Sequence, residues 1–180
     1  MDHTSTILKK FKNRRLSLVL DDSEAKGRCI LVAPAASLSD YELNQMLSMS
    51  GSHVYVTISE KRAEEFRLSI MSRNRSNDSN TPYYPITTTV DAREGITTGI
   101  SAADRALCIQ ILAEPEPQPS KLVKPGHIFP VLVKNDGLLV RPALPEAAQD
   151  LVRIAEFGPA ACFMDLFNAK GNPLTESERD

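Results

Sequence analysis

Gly95-Ile96-Thr97-Thr98-Gly99-Ile100-Ser101-Ala102-Ala103-Asp104-Arg105 runs glycine and hydroxyl residues straight into an apolar, helix-like stretch. Backbone amides at a helix start, with hydroxyls beside them, suit a phosphate group. The same pattern also describes a plain turn and helix cap. A second segment, Lys124-Pro125-Gly126-His127-Ile128-Phe129-Pro130, sets a histidine after Pro-Gly and before an apolar run. At the rim of a sheet such an imidazole can take and return protons near neutral pH. Standing alone, it fits a structural histidine equally well. The third candidate is Arg141, with Glu146 five residues on. Its guanidinium could grip an oxyanion, or the two could form an ordinary surface pair.

The elements that must position these residues can be read from periodicity and punctuation. Residues 4–11 read as a helix capped by Thr4 or Ser5. The basic run Lys9, Lys10, Lys12, Arg14 and Arg15 reads as its solvated face and last turn. Strands are expected at 16–20, 29–32 (stopped by Pro34), 53–58 and 86–90. Helices are expected after a Ser37 or Ser39 cap, after Ser59, over 101–112 and over 145–157. Residues 128–133 and 138–140 read as a hairpin around Asn135-Asp136-Gly137, and 160–167 as a last strand. Residues 73–85 form a long polar loop and 169–180 a polar tail. Irregular alternation of strands and helices predicts one α/β (α+β) domain over 1–180, a mixed sheet flanked by helices.

Composition narrows the function classes. The chain has 180 residues, 42% hydrophobic and 24% charged, with a net charge of -2. Those values suit one globular domain and leave no footprint for nucleic acid. No apolar stretch approaches the ~20 residues of a membrane span, and the first residues lack a signal-peptide pattern. Cys29, Cys108 and Cys162 sit far apart among apolar neighbours, so buried free thiols in a cytoplasmic protein are expected.

In this order and at these separations, the three segments resemble the motifs of the 3,4-dihydroxy-2-butanone 4-phosphate synthase family. The likeness is close over 95–105 and 124–130, and looser but nearly without gaps from Leu8 to about Asn168. The family enzyme converts ribulose 5-phosphate, through an enediol and a skeletal rearrangement, to the butanone phosphate and formate. It uses two magnesium ions and an active site shared across a homodimer. The resemblance implies that Thr97, Thr98, Ser101, Asp104 and Arg105 belong to the substrate and phosphate side. His127 matches the catalytic histidine, Arg141 a phosphate-gripping arginine, and Asp165 an essential glutamate one methylene longer. Glu146, close to Arg141, is placed on the same binding side.

The resemblance breaks at the metal. Where the family reads Asp-Arg-Glu-Asn-Glu-Gly-Asp, this chain has Glu24-Ala25-Lys26-Gly27-Arg28-Cys29-Ile30. Lys26 takes the place of the glutamate that binds both ions, and Leu144 that of a metal-binding histidine. A magnesium site needs oxygen ligands and negative charge, so no metal cofactor is expected. Lys26 could instead supply a positive charge to the substrate oxygens, or form a Schiff base. His53 or Tyr55, in a strand that differs from the family's, could change what the pocket accepts. Three functions stay open: a metal-independent lyase or isomerase of a sugar phosphate or related hydroxyketone; a non-catalytic sugar-phosphate-binding paralogue; and the parent reaction with ions on Asp21, Asp22 and Glu24.

Overall fold

A computed structural model describes residues 3–21, 28–71, 84–172, 174 and 178. Lys26 and most of the polar loop at 73–85 lie outside the described residues. The order of elements is α1 (His3–Arg14), β1 (Ser17–Asp21), β2 (Arg28–Pro34), α2 (Asp40–Ser50), β3 (Val54–Ser59), α3 (Glu60–Glu65), β4 (Val90–Ala92), α4 (Ala102–Ala113), β5 (Leu122–Val133), α5 (Leu144–Ile154) and β6 (Ala161–Asp165). Six strands form one mixed sheet in the order β1-β2-β6-β3-β5-β4. Only β3 and β5 pair in parallel; the other neighbours are antiparallel.

Both faces of the sheet are covered, which explains why its central strands are apolar throughout rather than alternating. Val54, Val56, Ile58, Ile128, Cys162 and Met164 pack on one side against residues of α2, α3 and α4. Ile30, Val32, Val131 and Phe163 pack on the other against Phe11 of α1 and Leu144, Ala148 and Val152 of α5. The helix starts follow the serine signals. Ser39 and Glu42 make a reciprocal capping box on α2, Ser59 caps α3, and Ser101 caps α4. Among the described residues no helix is long and apolar enough to cross a membrane. The three cysteines are buried and unpaired with one another.

Four expected elements differ. The hairpin is absent: after β5 the chain turns through a short 3-10 segment, Gly137–Leu139. Both edges of β5 are already occupied, by β3 on one side and by β4 with the Ile86–Val131 bridge on the other. A returning strand has no ladder to join, so Leu138, Leu139 and Val140 face solvent. Residues 86–90 are not one regular strand. Their backbone bonds go in turn to Pro130 and to Ser69, and regular pairing begins only at Val90. Conversely, β5 starts at Leu122, well before the apolar run. Its ladder to β4 is broken between Val90 and Asp91, so Pro125 sits where no ladder N–H is needed. Pro34 likewise ends β2 from inside the strand rather than stopping it short.

Candidate active site

The irregularity in the β4–β5 ladder is what presents His127. The two amides that lose ladder partners are met by side chains of the preceding segment: Gly126 N–H donates to Thr89 Oγ1 at 3.1 Å, and His127 N–H to Asp91 Oδ1 at 2.9 Å. Bulges of this kind re-aim a side chain out of the regular pleat. The other oxygen of Asp91 lies 2.7 Å from His127 Nδ1. A carboxylate there draws the ring proton to Nδ1 and leaves Nε2 as the acceptor. Asp91 is buried, with 10% of its side chain exposed, while 42% of the imidazole is exposed. The pair is thus an accessible imidazole steadied from behind by a buried carboxyl group. Sequence reasoning missed Asp91, because nothing local marks an aspartate at the end of a threonine-rich run.

The glycine–hydroxyl loop closes over this pair. Gly99, at φ +80, packs directly against Asp91 and His127. The loop is tied by Asp104, whose Oδ2 accepts from Thr97 Oγ1 at 2.9 Å, Gly99 N at 3.0 Å and Thr98 N at 3.2 Å. Ser101 Oγ caps α4 by accepting from Asp104 N. Burial raises the Asp104 pKa, but the bonds from Thr97, Gly99 and Ser101 together outweigh it and hold the carboxyl below its ordinary range. Asp104 therefore builds the loop from within. Arg105, one residue on, is half-buried, and its charge acts on Asp91. Its Nε is buried without a hydrogen-bond partner among the described residues. Thr97, Thr98, Ser101, Arg105, Asp91 and His127 thus gather at one end of the sheet.

Asp165 ends β6 at that same end of the sheet, in a different setting. Its Oδ1 accepts from Tyr84 Oη at 2.7 Å, and Tyr84 Oη accepts from Arg28 Nη2 at 2.8 Å. The Arg28 guanidinium also lies 5.5 Å from the Tyr84 ring centroid. Burial pushes the Asp165 pKa up, against the pull of Tyr84, Arg28 and His53. Tyr55 is pushed up to about 12, by burial first and Asp165 second. Tyr84 carried no motif signal and Arg28 was read only as part of the altered family loop, since their juxtaposition depends on strand order.

Arg141 and Glu146 are elsewhere. Arg141 pairs with Glu146 and donates to Leu132 O at 2.8 Å, while Glu146, fully buried, also accepts from Lys134 N at 3.0 Å. Those contacts lie five to seven residues beyond His127 on β5, about 17–23 Å along a strand. Arg141 is held by this pair rather than by a hairpin end.

With the geometry in place, comparison with known proteins decides the family. The sequence profile described as 3,4-dihydroxy-2-butanone 4-phosphate synthase matches residues 5–179. The chain belongs to the 3,4-dihydroxy-2-butanone 4-phosphate synthase family. It is 31% identical over 157 residues to the synthase of Chromobacterium violaceum, covering 87% of this chain and 73% of that one. It is 37% identical over 158 residues to riboflavin biosynthesis protein RibBA of Salinispora arenicola, covering 87% of this chain but only 37% of that longer protein. Among solved structures, a synthase in complex with two magnesium ions superposes with a TM-score of 0.81 at 30% identity, covering 92% of this chain and 76% of that one. A cation-free synthase superposes with a TM-score of 0.84 at 28% identity, covering 99% and 86%.

Two described residues stand where the family motifs have a histidine and a glutamate. Leu144 is 3% exposed and seated in the apolar cluster with Val131, Ala148 and Phe163, with no donor atom to give. Arg28, where the family motif has its second glutamate, places a guanidinium one phenol away from Asp165. Among the described residues no group of three or more His, Cys, Asp or Glu side chains is arranged to hold a metal ion.

Proposed function

We propose that this member of the synthase family is a metal-independent lyase or isomerase acting on a sugar phosphate or a related hydroxyketone. The observation that carries this reading is the exposed His127 imidazole backed by buried Asp91, beside the half-buried Arg105 and the Thr97–Ser101 loop. His127 Nε2 would take the proton from the carbon next to the carbonyl. Thr97, Thr98, Ser101 and Arg105 would seat the phosphate, with Asp104 keeping their loop in shape. Asp165, held by Tyr84, would be a second catalytic group, and Lys26 would supply positive charge to the substrate oxygens. A cation in place of a metal stabilises an enediolate less strongly, so slower turnover or a different end product is consistent with this reading.

The separation of Arg141 and Glu146 from His127 along β5 supports a site shared between two copies of the chain. Leu138, Leu139 and Val140, exposed beside Arg141, are suited to contact with a second copy. A homodimeric cytoplasmic protein without nucleic-acid or membrane partners is the corresponding setting. The second reading, a sugar-phosphate-binding paralogue without turnover, draws on Asp104 and Arg141, both of which are engaged in holding their own loops.

Carbon NMR of the protein with uniformly labelled ribulose 5-phosphate, once with magnesium and once with chelator, tests the proposal. Conversion at equal rates in both samples supports it. Formate in the magnesium sample alone restores the parent reaction and overturns metal independence. Unchanged substrate in both, with thermal stabilisation by the sugar phosphate, favours the binding paralogue.

A further inference from the structure

Beside the Asp91–His127 pair stands a second imidazole that the reading above does not use. His53 and His127 each stand one residue before the first rung of the parallel β3–β5 ladder, Val54 opposite Ile128. The two histidines therefore leave that ladder side by side, His53 just ahead of β3 and His127 on the bulged part of β5. On its other side β3 pairs with β6, with Tyr55 opposite Phe163. Two residues further out along each strand, that register sets His53 opposite Asp165. Across β6-β3-β5-β4, the sheet rim thus presents Asp165, His53, His127 and Asp91 in succession.

The surroundings of His53 fit a working group better than a packed one. It is exposed, and its ring rests on Phe129 with centroids 4.6 Å apart. Its charge acts on Asp165. The other groups facing Asp165 are Tyr84, which donates to Oδ1, Arg28 behind it, and Tyr55. Asp165 is thereby anchored on its inner side by a phenol and a guanidinium, with an accessible imidazole across the strand.

We infer that His53, backed by Asp165, is a second acid–base group of the same site, working alongside His127. The inference rests on the reading of the substrate as a hydroxyketone. One imidazole removes a proton from the hydroxyl-bearing carbon next to the carbonyl. The C–H electron pair becomes the carbon–carbon double bond, and the carbonyl oxygen takes a proton from the second, protonated imidazole. The product is the neutral enediol, one histidine has gained a proton and the other has lost one, and no oxidant or metal enters the balance. Neutralising the oxygen by direct proton transfer is a way to form an enediol where no divalent cation holds its charge.

The test is deuterium incorporation from D2O into ribulose 5-phosphate, followed by NMR, with the wild type and His53→Gln. It is paired with a carbon-NMR titration of the Asp165 carboxyl in both. Exchange in the variant is expected to fall roughly 100-fold, with thermal stabilisation by the sugar phosphate retained. The Asp165 titration is expected to move to higher pH once the neighbouring imidazole is gone. Exchange at the wild-type rate in His53→Gln overturns the inference and leaves the sugar-phosphate reading standing. A wild type that exchanges nothing overturns that reading and the inference with it. An Asp165 carboxyl that ignores the substitution overturns the pairing, whatever the rates.

Discussion

Gly99 packs so closely on the Asp91–His127 pair that a Cβ built there would lie 2.5 Å from Asp91 Oδ2 and 2.8 Å from His127 Nδ1. Its φ of +80 is a second reason for glycine. Gly99→Ala therefore meets both backbone strain and a clash with buried polar atoms. It should cost about 1–3 kcal/mol of stability, read from denaturant unfolding, and displace the imidazole. The imidazole NMR signals of His127 should shift in the variant.

Asp91→Asn keeps shape and volume but offers His127 an amide in place of a carboxylate. The amide cannot hold the Nδ1 proton in the same way, so the imidazole loses its fixed tautomer. If His127 is the base, kcat should fall by about 10–100-fold with KM for the sugar phosphate little changed. An equal loss through KM alone would mean that Asp91 shapes the binding loop rather than the base.

The parts of this protein that were legible in its sequence are those set by local chemistry. The serine caps at Ser39, Ser59 and Ser101 are side-chain-to-backbone bonds spanning three residues: Ser59 caps as expected, Ser39 rather than Ser37 caps α2, and Ser101, read as the first helical residue, is the cap of α4. The Asn-Asp-Gly hairpin failed because a turn signal says nothing about whether the preceding strand has a free edge. Asp91 and Tyr84 failed to announce themselves, and the link of Arg28 to Tyr84 stayed hidden, for a related reason. Their roles depend on which strands lie side by side, and Tyr84 reaches Asp165 across 81 residues of sequence. His127 was found, but its place on a bulge within β5 rather than ahead of a strand follows from pairing with β4.

Asp165 gives a pH signature of known sign. Burial raises its folded-state pKa above the ordinary carboxylate value. The bound proton therefore stabilises the fold at low pH, and that contribution is lost as pH rises through the folded value. Asp165→Asn removes the buried charge and can still accept from Tyr84. Its melting temperature should exceed that of the wild type at neutral pH, with the gap closing as pH falls toward about 4. Asp104 acts in the opposite direction, losing its contribution as pH falls, so the comparison must be made between the two proteins at each pH.

Arg141→Ala should be disproportionately destabilising for a half-exposed arginine. It leaves Glu146, fully buried, with the Lys134 amide as its remaining hydrogen bond. Removing one partner of such a pair costs roughly 3–5 kcal/mol. Replacing both, as Arg141→Met with Glu146→Leu, should recover most of the loss, because an apolar pair in the same space carries no unpaired charge. Recovery of stability without recovery of sugar-phosphate binding would separate a ligand-gripping role for Arg141 from its structural one.

Magnesium titration tests the metal argument without reference to activity. A site-bound ion stabilises the folded chain in proportion to the logarithm of its concentration over the dissociation constant. With Leu144 buried in apolar contacts and Arg28 beside Asp165, the melting temperature should not move between chelator and millimolar magnesium at constant ionic strength. Arg28→Glu removes the guanidinium behind Tyr84 and puts a carboxylate on that side of Asp165. If the guanidinium is what excludes the ion, this variant should gain a magnesium-dependent rise in melting temperature that the wild type lacks. A rise in the wild type would place ligands in the segment around Lys26 and end the metal-independent reading. Absence of a rise in Arg28→Glu would mean that Leu144 and Lys26 alone suffice to keep the ion out.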